Sequence, residues 1–129
     1  GMKKVRTELI HDLMNNAEKI SDISFITETL NKIDDLKEFA GELLDRLSKN
    51  SVLFLGMVKG NKPIVVCGVT KDLTDKIHAG KIVNAVGKKM MGGGGGKPHL
   101  ATAGGKDPGL LDEAMKSGQK MIKELVSNI

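Results

Sequence analysis

The sequence predicts an α+β fold: a small mixed or antiparallel sheet with helices packed on it, in the order α-β-α-β-β-α-glycine loop-α. Three observations predict it. Apolar residues recur at helical spacing in four separate stretches. Two apolar runs, 51–59 and 62–69, flank the dipeptide Gly60-Asn61, which suits a tight hairpin with positive φ. The chain has 129 residues, 40% of them hydrophobic and 28% charged, enough for one core and too balanced for disorder.

The elements follow in order. Leu9, Ile10, Leu13, Met14 and Ala17 predict an amphipathic helix over 5–18. Residues 20–28 are short, β-branched and interrupted by polar groups, which predicts an edge strand. Ile33, Leu36, Phe39, Ala40, Leu43, Leu44 and Leu47 mark a second helix over 31–49, with Asn31 or Asp34 as its cap and Lys49-Asn50 as a stop. The acidic pair Asp34-Asp35 belongs to that helix start, where the helix dipole favours carboxylates. The hairpin comes next, with Pro63 at the head of its second strand, where a missing N–H is tolerated. Ile77, Ile82, Val83, Val86 and Met90 predict a helix over 75–90. Residues 91–106 read as a glycine-rich loop. Asp107 then caps a final helix with Pro108 at its first position, and Gly118 is its weak point or a close helix contact.

Residues 1–29 read as an N-terminal helix and edge strand, either the end of a preceding helical region or part of the domain. Residues 30–129 read as one globular domain. Gly1 ahead of Met2 reads as an expression scar, so the chain reads as a piece of something longer. No apolar run approaches the ~18 residues of a membrane span, and a cytoplasmic, reducing location is expected. The single Cys67 excludes an internal disulfide and reads as a small buried hydrophobe.

Charge and glycine coincide. The net charge is +4, yet residues 1–50 carry 8 basic and 10 acidic side chains, whereas 71–106 carry seven lysines against two aspartates. Nine of the 16 glycines fall between Gly87 and Gly109. Basic side chains beside exposed amides suit a polyanion; a lysine-rich solvated surface with no partner is the plainer alternative. There is no Trp or Tyr, and Phe25, Phe39 and Phe54 sit in apolar segments. Base stacking on exposed rings is therefore not the expected mode.

The candidate nucleic-acid-binding residues are the glycines of the run, Gly92, Gly93, Gly94, Gly95 and Gly96, with Lys97, His99, Gly104 and Gly105 beyond it. Lys81, Lys88 and Lys89 add charge from the preceding helix. The run lacks the spaced GK[ST] of a Walker A loop. His11, His78 and His99 are scattered without a Cys or carboxylate cluster, so neither a metal site nor a catalytic residue is expected.

TKDLT at 70–74, HAGKIV at 78–83 and GGGGGKPHLATAGG at 92–105 together resemble the C-terminal, DHH-associated domain of bacterial alanyl-tRNA synthetases. The resemblance covers roughly residues 30–127; Thr70 stands where the family more often has Ser. It implies a non-catalytic, tRNA-binding domain of an alanine–tRNA ligase. Such a domain contacts the elbow of alanine-specific tRNA and helps couple aminoacylation to editing. The enzyme's ATP, Mg and zinc would lie in other domains, and this fragment would hold no cofactor. The implied partners are tRNA and the other domains of the parent synthetase, with no membrane; a homodimer stays open. The alternative is the nucleic-acid or nucleotide substrate-binding domain of a DHH-class phosphoesterase. Lys97-Pro98 after the glycines favours the ligase, since the phosphoesterases usually place His directly after two glycines. A structural or oligomerisation domain, suggested by the amphipathic N-terminal helix, is the third reading.

Overall fold

A computed structural model describes the backbone of residues 2–129 and the side chains from Val5 onward; Gly1, read above as a scar, lies outside the described residues. In chain order the elements are α1 (Met2–Asn15), β1 (Glu18–Ile20), β2 (Ile23–Leu30), α2 (Leu36–Leu47), β3 (Ser51–Lys59), β4 (Lys62–Val69), α3 (Ala79–Lys89), β5 (Gly93–Gly96), β6 (Leu100–Gly104) and α4 (Leu111–Ser127). Short 3-10 turns at Lys71–Leu73 and Pro108–Leu110 lead into α3 and α4.

The six strands form one sheet in the order β1-β2-β3-β4-β6-β5. Only β2 and β3 are parallel, and α2 is the crossover that a parallel pair requires. Strand β3 is buried at every position from Ser51 to Met57, as a strand covered on both faces must be. Its alternating side chains feed two cores. Val52 and Phe54 face α3 and α4 with Val65, Cys67, Val83 and Ile122. Leu53, Leu55 and Met57 face α1 and α2 with Ile10, Phe39, Leu43 and Val66. All three Phe are buried, as the sequence predicts. Burial also pushes the Cys67 thiol up to about 12, leaving it a neutral apolar group.

The α+β class and the hairpin stand. Gly60 and Asn61 have φ of 54° and 72°, and Pro63 opposes Val58 near the start of β4. The first helix ends at Asn15 rather than 18, the second spans 36–47 rather than 31–49, and Asp107 with Pro108 caps the 3-10 turn ahead of α4, which starts at Leu111. Four further expectations change. The strand expected over 20–28 is not an edge: β2 lies between β1 and β3, and three-residue β1 takes the edge. The cap of α2 is Asp35, whose carboxylate accepts the Glu38 N–H at 3.0 Å, rather than Asn31 or Asp34. Several Asx residues compete there, and Leu36, the first buried residue of the stripe, decides which one caps. The third helix begins at Ala79 rather than 75, because the 3-10 turn and the His78 cap come first. The expected loop 91–106 holds two strands, β5 and β6. A glycine strand has no side-chain pattern to read, and its strand character comes from pairing with β6.

Candidate nucleic-acid interface

The glycine strand lies at the sheet edge with α3 drawn close against it. Gly93 to Gly96 pair with Gly104 to Ala101, and the Lys97 N–H donates to the Leu100 carbonyl at 3.2 Å. From that bond the antiparallel alternation turns the polar groups of Gly95 and Gly93 toward β6. Those of Gly94 turn toward the open edge, and the Gly96 carbonyl oxygen is met by Gly80 of α3.

Packing explains some of these glycines and not others. A methyl group at Gly92 would fall 2.0 Å from the Gly104 carbonyl oxygen, and one at Gly94 2.4 Å from the Ala103 Cα. At Gly96, where φ is +148°, a methyl group would fall 2.8 Å from the Ala101 Cβ. Helix α3 answers with its own glycines, seven residues apart on one face. Gly80 sits against the Gly96 carbonyl oxygen and Gly87 against the Gly93 Cα. Gly105 is pressed on the Met90 backbone. Gly93 and Gly95 differ: a methyl group at either would meet nothing within 4 Å. Both face a surface groove of about 670 Å³ whose other wall is Asp34, Asp35 and Lys37 at the start of α2, together with Lys59.

The strongest sequence motifs turn out to hold this frame in place. Thr70 is buried; its hydroxyl accepts the Ser51 N–H at 3.1 Å and donates to the Ser51 carbonyl at 3.2 Å. Asp72 accepts the Asn50 N–H at 2.9 Å. Its slight desolvation works to raise the carboxyl's pKa, but hydrogen bonds from Thr70 and Asn50 and the charge of Lys49 outweigh that and hold it below the ordinary value. TKDLT is thus a clasp on the start of β3. His78 caps α3, its Nδ1 accepting the Lys81 N–H at 3.3 Å. The Pro98 carbonyl accepts the Ala79 N–H at 2.8 Å, which fixes the β5–β6 turn on the start of α3.

The sequence-predicted site residues are therefore brought together in two groups. Gly92 to Gly96, Lys97, His99, Gly104 and Gly105 share one hairpin and its flanks. Lys97 is exposed at the turn, while His99 is half-buried, its carbonyl accepting the Val69 N–H at 2.9 Å. Lys81, Lys88 and Lys89 are exposed on α3. Lys81 lies at the end of α3 beside the turn, and Lys88 and Lys89 at the end beside Gly92 and Gly93, about 10 Å along the axis. Seven residues apart, Lys81 and Lys88 share one stripe. Among the described residues the salt bridges join Arg6 to Glu38 and Glu42, and Lys123 to Glu18; none engages these four lysines. Also among the described residues, no three of His, Cys, Asp and Glu stand together as a metal cage, and no helix is long and apolar enough to cross a membrane.

Sequence reasoning missed Met91 and Lys106. Helix α3 ends with the Gly92 N–H bonded to the Gly87 carbonyl at 2.9 Å and the Met91 N–H to the Lys88 carbonyl at 3.2 Å. That is the Schellman pattern, whose penultimate position is left-handed and is usually glycine. Here it is Met91, at φ +61°. The Lys106 N–H bonds to the Met90 carbonyl, which sets that lysine next to the same corner. The doublet Met90-Met91 directly ahead of five glycines was the available signal.

Comparison with known proteins identifies the architecture. The DHHA1 domain family matches residues 22–127. The chain is 36% identical over 128 residues to an alanine–tRNA ligase of Natranaerobius thermophilus, covering 97% of this chain and 14% of that protein. The chain thus spans about a seventh of the length of that curated relative. It superimposes on the crystal structure of the C-Ala domain from Aquifex aeolicus alanyl-tRNA synthetase with a TM-score of 0.68 and 34% identity, covering 87% of this chain and 98% of that one. The RecJ structure from Thermus thermophilus, in complex with Mn2+, gives a TM-score of 0.60 at 11% identity, covering 98% of this chain and 17% of that one; this likeness is one of fold alone. The chain belongs to the DHHA1 domain family.

Proposed function

We propose that this DHHA1 domain is the tRNA-binding C-terminal domain of an alanine–tRNA ligase, working in the cytoplasm beside the ligase's other domains. In this reading it grips the elbow of alanine-specific tRNA and helps couple aminoacylation to editing. ATP, Mg and zinc act elsewhere in the enzyme, and this fragment contributes binding rather than catalysis. One observation carries the reading: the likeness to the C-Ala domain runs over 98% of that chain at 34% identity. The geometry supports it. A strand without side chains presents backbone amides at an open edge, and Lys81, Lys88, Lys89 and Lys97, in no salt bridge among the described residues, stand along it, a combination suited to a phosphate backbone.

The test is a titration of the 129-residue protein with an alanine-specific tRNA transcript at several salt concentrations. If three or four phosphates are neutralised, log K falls with log salt at a slope of roughly −3. Binding with a flat salt response contradicts the basic surface as the interface. No binding at low salt contradicts the tRNA reading as a whole.

A further inference from the structure

The chain's exposed apolar surface is sparse. Among the described residues the large hydrophobics that stand out into solvent are Val5, Val58, Met91, Leu125 and Ile129. Single exposed residues of this kind need no special explanation. Met91 differs because its backbone is costly as well. A non-glycine residue in the left-handed region is disfavoured, and the helix-ending pattern that it completes prefers glycine at that position. Glycine is in ample supply here: five follow immediately. The fold gains nothing visible in return, since the Met91 side chain is 66% exposed. By contrast its neighbour Met90 is fully buried.

The surroundings say what such a side chain would meet. Lys88 and Lys89, on the last turn of α3, and Lys106, bonded to the Met90 carbonyl, are all exposed around it. All three Phe are buried, so base stacking on a phenyl ring is closed to this surface, and the His99 imidazole on the hairpin is half-buried. A flexible, polarisable thioether is the one large apolar group in the basic region that can lie on a base.

We propose that Met91 is an RNA-contacting residue, its thioether laid on the face of an exposed base while Lys88, Lys89 and Lys106 hold the neighbouring phosphates. This rests on the tRNA-binding reading and adds to it a contact that is apolar rather than electrostatic. The strained backbone is the means by which the side chain is thrust outward at the end of α3.

The test compares the wild type, Met91→Gly and Met91→Leu by melting temperature and by titration with the same tRNA transcript at several salt concentrations. Glycine relieves the strain, so Met91→Gly melts higher than the wild type. It also binds about 5- to 10-fold more weakly at every salt concentration, with the slope of log K against log salt unchanged, because no phosphate contact is lost. Met91→Leu, which keeps an apolar side chain, retains most of the affinity. Stability and affinity moving in opposite directions is a signature that a structural role does not produce. If Met91→Gly melts higher and binds as tightly as the wild type, the proposal is overturned. A lower melting temperature removes its premise, and a weakened affinity accompanied by a shallower slope assigns the effect to charge. A wild type that binds no tRNA fails the domain's function itself, and that arm is read first.

Discussion

A single methyl group separates the two kinds of glycine in the run. At Gly94 it would collide with the Ala103 Cα and the Thr102 carbonyl oxygen, each at 2.4 Å, and backbone cannot swing aside as a side-chain tip can. Gly94→Ala is therefore expected to destabilise the fold by about 1–3 kcal/mol, the usual cost of overpacking. At Gly95 there is open space and no positive φ. Gly95→Ala is expected to stabilise by about 0.4–1 kcal/mol, because alanine loses less backbone entropy on folding. Urea denaturation of the two variants checks both signs. Two adjacent glycines that respond alike would contradict the placement of β5. The same pair sharpens the question of ligand approach. A tRNA affinity that falls in the stabilised Gly95→Ala variant marks a contact surface, since its fold is intact.

At the scale of elements, close approach governs the α4–sheet contact just as it governs α3 and β5. Gly118 lies mid-helix in α4, where alanine is intrinsically better by about 1 kcal/mol. A methyl group there would come 2.4 Å from the Phe54 Cζ, and Phe54 is wholly buried in β3 with nowhere to turn. Steric cost outweighs propensity, so Gly118→Ala is expected to lower stability by about 1–2 kcal/mol net. Calorimetric melting measures it, and a rise in melting temperature would mean that α4 sits farther from the sheet. These contacts also explain what the sequence made legible. Stripes such as Leu36-Phe39-Ala40-Leu43 announce helices because burial repeats with the helical period. Gly60-Asn61 announces its hairpin because only certain residues accept those φ values. Strand β5 has no side chains from which to read a period, and its partner β6 is a short run of small residues. Its strand character exists only once α3 and β6 are in place. The candidate site was legible as composition, lysine beside glycine. Its internal division was not, because it depends on which atoms lie opposite each Cα. The TKDLT segment marked the family resemblance without showing its role, which is structural: Thr70 and Asp72 spend their hydrogen bonds on Ser51 and Asn50.

Over the whole molecule the charge is sorted by location in the chain, and the fold turns that sorting into a polarity of surface. The acidic first 50 residues build α1, β2 and α2, whose Glu38 and Glu42 are engaged by Arg6. The lysine-rich stretch builds α3 and the glycine hairpin, where Lys81, Lys88 and Lys97 have no carboxylate partner among the described residues. An RNA bound through counterion release reads this difference directly. Each lysine that touches a phosphate contributes close to one unit of salt slope, so its removal both weakens binding and flattens the line. Lys81→Ala, Lys88→Ala and Lys97→Ala are each expected to reduce the slope of log K against log salt by about one unit. As exposed side chains they should shift stability by less than about 0.5 kcal/mol, which separates loss of contact from loss of fold. Lys37→Ala, on exposed α2 across the groove from the glycine strand, is the matched control: it removes the same charge from the acidic half and is expected to leave the slope in place. The contrast excludes a simple effect of net charge, because all four variants carry the same total. Equal responses at Lys37 and Lys97 would mean that the domain attracts RNA as a diffuse cation. A full response at Lys81 and Lys88 with none at Lys97 would confine the footprint to α3 and leave the hairpin turn outside it.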